Sequence, residues 1–91
     1  MDEILASGTR LTQACADFLK IDIAMGLTFS GIALRTQDSA KERRNRESAR
    51  KAYDTVLKLM ERVTLTRDDV RILAHNLQRL KSELVSLGDV F

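Results

Sequence analysis

Between Ala49 and Leu87 the apolar residues recur at alternating steps of four and three. One set is Ala49, Tyr53, Val56, Met60 and Val63; the other is Val70, Leu73, Leu77, Leu80, Leu84 and Leu87. An α-helix has about 3.6 residues per turn, so this rhythm draws each set into one narrow stripe. Helices with such stripes pack nearly parallel or antiparallel to one another. The two sets therefore predict a helical hairpin whose arms fold back on each other. The connection supports it. Thr66 stands where an N-cap hydroxyl is needed, Asp69 follows at the third helical position, and Leu65 and Val70 flank them as a hydrophobic staple. Asp68 and Asp69 also suit the positive end of a helix dipole. At the far end, Gly88 is placed to take a left-handed conformation and stop the chain.

The rest of the chain must supply what the hairpin packs against. With 91 residues in all, there is room for one small domain. No proline interrupts the sequence, which permits long helices. No strand-like alternation or tight glycine turn is visible. The class that follows is all-α: an antiparallel three-helix bundle, one domain over 1–91, with a long first helix and a C-terminal helical hairpin. Helices are expected over about 3/10–36, 40–62 and 67–87. The first start is left open because Gly8 interrupts the pattern, and an internal glycine costs about 1 kcal/mol relative to alanine. If the helix begins near Asp2, it overhangs its partners by two turns or more. For the second helix, Ser39 with Glu42 resembles a capping box, and Asp38 is an alternative cap.

The first helix is apolar on more than one side. One line runs Ile4, Leu11, Cys15, Phe18, Met25, Phe29 and Ile32; a second runs Ala16, Leu19, Ile23, Leu27 and Leu34. Gly26, Ser30 and Ala33 add small residues that let another backbone approach closely. A single hairpin covers only part of such a helix. Self-association through Leu19, Ile23, Gly26, Leu27 and Ser30 is therefore expected, with a homodimer favoured and another helical protein as the alternative partner. Residues 21–34 carry one charge, Asp22, and are too short and interrupted to span a bilayer, which takes about 20 apolar residues. Asp22 itself is expected to be paired or half-exposed, since an isolated buried carboxylate is costly.

Net charge is only +2, but residues 41–51 hold six cations against two acids. Arg43, Arg44, Arg46 and Arg50 form a candidate basic patch for nucleic acid or an acidic partner. The plainer reading is a solvated helix face laced with acid-first i,i+4 pairs such as Glu42–Arg46 and Glu47–Lys51. Arg44-Asn45-Arg46-Glu47-Ser48-Ala49-Arg50 resembles the basic region of plant-type basic leucine zippers. The likeness covers seven residues and departs at Tyr53, where that family has a basic residue; Ala49 and Tyr53 already belong to the apolar stripe.

No catalytic residue, cofactor site or metal site is expected. Cys15 is the sole cysteine and His75 the sole histidine, so neither a disulfide nor a thiolate zinc cluster can form within the chain. Phosphate-binding glycine loops and nucleophile elbows are absent. The acidic start Met1-Asp2-Glu3, with no continuous apolar core behind it, does not resemble a secretory signal, and a cytoplasmic setting is expected. The stretch Ser39–Val63, SAKERRNRESARKAYDTVLKLMERV, resembles segments of short uncharacterised helical proteins from bacteria, which implies a bacterial origin and no activity. A looser resemblance is to tetratricopeptide-type hairpins, carried by Gly26 and Phe29 on one helix and Ala49, Tyr53 and Val56 on the next. The overall topology is similar to the microtubule-interacting and trafficking domain. The function expected from all this is a non-enzymatic helical interaction or scaffold module.

Overall fold

The computed structural model describes residues 2–91, with side chains described from residue 13 onward. Three helices follow one another: α1 over Asp2–Arg35, α2 over Ser39–Met60 and α3 over Arg67–Ser86. The chain is all-α, an up-down-up three-helix bundle. α1 is continuous through Gly8 and holds 34 residues, against 22 and 20 for its partners. At 1.5 Å per residue that is about 51 Å of helix, most of the 56 Å length of the molecule. The predicted overhang is thus present. The expectations placed on Ile4 and Leu11 concern side chains outside the described set.

Local chemistry explains each boundary. Asp38 caps α2: its backbone is extended, and its carboxylate accepts from Ala40 N at 2.9 Å and Lys41 N at 3.1 Å. Ser39 is already helical, so the alternative cap is the correct one. Those two bonds, with the nearby Arg44 and Lys41 charges, hold the Asp38 carboxyl below the usual carboxylate range. Thr66 caps α3 as predicted, its hydroxyl accepting from Asp69 N at 3.1 Å. At the other end Gly88 takes φ +95°, Gly88 N donates to Val85 O and Asp89 N donates to Leu84 O. That pair of bonds is a Schellman turn, which satisfies the last carbonyls and reverses the chain.

The core contains Leu19 and Ile23 from α1, Ala49 and Val56 from α2, and Leu73, Leu77, Leu80 and Leu84 from α3. Both hairpin stripes therefore turn inward as predicted, except that Val70 is 42% exposed and sits at the rim. One emphasis changes. The hairpin arms meet each other least; the largest interface is α1 with α2, and the next is α1 with α3. The reason is visible at Gly26. A Cβ built there would lie 2.9 Å from Leu80 Cδ2 and 3.0 Å from Ala52 Cβ. With no side chain on Gly26 and only methyl groups at Ala49 and Ala52, α1 and α2 come close enough for α1 to become the centre of the molecule.

Candidate functional site: the outward face of the first helix

The five residues predicted for self-association do not form a free surface. Leu19 is 1% exposed, while Ile23 and Ser30 are fully buried. Gly26 is buried between α2 and α3, and Leu27 is half-buried against the core. This corrects the expectation. The close backbone approach that the small residues allow is made by the chain's own α2, and the second apolar line of α1 is its inner seam from Ala16 to Leu27, while Leu34 at its end is exposed. Polar contacts bracket that seam. Lys20 Nζ meets Asp69 Oδ1 at 2.6 Å and ties α1 to the start of α3. The Lys20 ammonium, then the Thr66 hydroxyl, hold the Asp69 carboxyl below its ordinary range; the same bond to Asp69 raises Lys20 against the opposing effect of desolvation. Farther along, Ser30 Oγ lies 2.5 Å from Glu83 Oε2 and 3.0 Å from Leu27 O. Its one proton is shared between two acceptors, and Ser30 is anchored deep in the bundle.

The other line of α1 divides: Phe29 packs against the core, while Phe18 and Met25 face out, joined by Ile21 between them. Phe18 is 56% exposed, Ile21 61% and Met25 49%. They follow one another at steps of three and four, so they stack along one side of the helix. Ile32, half-buried, continues the stripe one turn beyond Thr28. In sequence the spacing is longer still: Ile4, Leu11, Phe18, Met25 and Ile32 recur every seven residues. Beside Phe18 an apolar groove of about 230 Å³ runs between α1 and the end of α2, lined by Ala14, Cys15, Leu19, Leu59 and Val63. Sequence reasoning had placed Phe18 and Met25 on an apolar line but missed Ile21. The signal that could have found it is its spacing, three residues after Phe18 and four before Met25, which sets it on the same helix face.

The basic patch is divided. Arg43 and Arg44 are exposed. Arg46 Nε pairs with Glu42 at 3.0 Å. Arg50 is committed to acids on both sides, with Nε 3.1 Å from Asp54 Oδ1 and Nη1 3.2 Å from Asp89 Oδ2. The concentrated charge inferred from sequence is thus partly neutralised. Asp22 is half-exposed at a mixed groove of about 360 Å³ with Phe29, Ser48, Lys51, Ala52 and Thr55. His75 lies at the surface and Cys15 is half-buried. Among the described residues, no three His, Cys, Asp or Glu side chains group to hold a metal ion, and no helix is long and apolar enough to cross a membrane. The chain matches no family model, no curated protein and no solved structure.

Proposed function

We propose that the protein is a non-catalytic helical interaction module of the cytoplasm that self-associates through the outward face of α1. The observation that carries this reading is the uncovered stripe of Phe18, Ile21 and Met25. Large exposed apolar side chains gathered on one helix face are the kind of surface that contacts between proteins use. A second copy fits best. The stripe contains no charge to repel its own image, and its seven-residue recurrence is the same on every copy. A specific dimer buries on the order of 800 Å² per partner, more than three side chains supply, and the overhang of α1 offers the additional length.

Sedimentation velocity over a range of concentrations tests this. The wild-type chain is expected to sediment as a dimer. Ile21→Glu should sediment as a monomer with an unchanged helical circular-dichroism spectrum. A wild-type chain that stays monomeric at hundreds of micromolar overturns the reading.

A further inference from the structure

A second feature, independent of α1, lies where the chain returns after Gly88. The three residues Asp89, Val90 and Phe91 fold back onto α2 and α3 and close around Arg50. Arg50 Nη1 donates to Asp89 Oδ2 at 3.2 Å and to the Val90 carbonyl at 2.9 Å. Cζ of the same guanidinium lies over the Phe91 ring, 3.9 Å from its centre. Tyr53, one turn along α2, meets that ring edge-on at 5.1 Å, and Lys81 Nζ approaches it from α3 at 5.2 Å. Asp89 also accepts its neighbour's Val90 N–H at 3.0 Å, which sets the bend between acid and aromatic. The Val90 side chain is 82% exposed and takes no part. Arg50 itself is pre-aimed: Asp54, one turn away on α2, holds Nε through both carboxylate oxygens at 3.1 and 3.2 Å.

These contacts form a recognition pattern. One arginine reads a carboxylate, a backbone carbonyl and an aromatic face at fixed separations, while the residue between them is free to vary. Arginine suits this because its planar, permanently charged fork bonds in the plane and stacks on its face. Phe91 remains 44% exposed on this site, and the segment starts at Gly88, where an added Cβ would meet nothing within 4 Å.

We propose that Arg50, Tyr53 and Lys81 form a docking site for a short acidic–aromatic peptide segment, Asp-any residue-Phe, supplied by a partner polypeptide. The chain's own residues 89–91 occupy this site as a releasable latch. A tethered segment acts at an effective concentration on the order of millimolar, so an outside peptide binds the latched chain poorly and the unlatched chain well.

The probe is an end-blocked peptide, Gly-Asp-Val-Phe-Gly, titrated by NMR into the full-length chain. In a chain carrying Asp89→Ala and Phe91→Ala, the Tyr53 ring and Arg50 Nε signals should shift, with an apparent affinity at least tenfold tighter than in wild type. Adding Arg50→Ala to that background should abolish the shifts while the helical circular-dichroism spectrum persists. Replacing Asp by Asn or Phe by Ala in the peptide should do the same, and added salt should weaken binding. Equal affinity for the wild-type and unlatched chains overturns the latch. Absence of shifts in the unlatched chain at several millimolar peptide overturns the site. Neither outcome depends on whether α1 pairs with a second copy, which sedimentation reads separately.

Discussion

Ile21 and Ile23 are the same side chain, two positions apart on one helix, at 61% and 0% exposure. The difference between them is the difference between the two faces of α1. The inward face mixes large and small residues: Leu19 and Ile23 fill space, while Ala16, Gly26, Ser30 and Ala33 make room. The outward face sets the large side chains of Phe18, Ile21 and Met25 in a row, with Ala14 exposed beside Phe18. A face shaped to admit neighbouring helices closely is the one that becomes core, and the opposite face is left uncovered. Apolarity alone does not separate the two.

Substitution at the two isoleucines is the hardest test of that contrast. Ile23→Ala removes three carbons from a fully buried site and should cost about 2–5 kcal/mol of unfolding free energy. Ile21→Ala, measured at a concentration low enough for the chain to be monomeric, should stay within about 0.5 kcal/mol of wild type. Urea unfolding by circular dichroism reads both. Comparable losses at the two positions would mean that the faces are wrongly assigned.

The glycines sharpen the comparison with a change of sign. Gly26→Ala pushes a methyl to within 3.0 Å of Ala52 Cβ, which is part of a backbone-fixed neighbour. Overpacking of that kind costs about 1–3 kcal/mol, only partly offset by the better helix propensity of alanine. Gly31→Ala meets nothing closer than the tip of Arg35 at 3.7 Å, so propensity should dominate and stabilise the chain by about 0.5–1 kcal/mol. Thermal unfolding of the two variants should therefore move in opposite directions. A stabilising Gly26→Ala would show that α1 and α2 are not held at the close distance described.

These cases also show which parts of the structure could be read in the sequence. The class, the three helices and the secure boundaries at Thr66 and Gly88 rest on chemistry within a few residues, and a single chain displays that chemistry fully. The choice between Asp38 and Ser39 was already harder, because either side chain can cap and only the backbone angles decide. Reading Gly26 and Ser30 as marks of close helix approach was sound; naming the approaching helix was not, since α1 has apolar residues on both sides and periodicity cannot say which side the hairpin takes. The Arg50–Phe91 contact is the least legible of all. It joins residues 41 positions apart through a three-residue segment with no period, and in sequence Arg50 is one more cation in a charged run.

The smallest expected effect lies on the border between the two faces, at Lys20 and Asp69. Asp69 is held below its ordinary carboxyl value, first by Lys20 and then by Thr66. Its contribution is complete above the unfolded value, near pH 4, and is lost as pH falls through the depressed folded value. Lys20 is raised, so its contribution is complete below the unfolded value, near pH 10.4, and is lost as pH rises through the higher folded one. Lys20→Met keeps the methylene stem and removes the charge. The gap in urea midpoint between wild type and this variant should be flat from about pH 5 to 9 and should close at both extremes. Added salt should narrow it only in part, because the side chain of Asp69 is 12% exposed and that of Lys20 31%. Ile21→Ala made in the Lys20→Met chain should leave the shape of that profile unchanged, since Ile21 is uncharged and is not among the groups that shift Lys20 or Asp69; a profile that changed would show the two faces of α1 to be coupled through the helix between them.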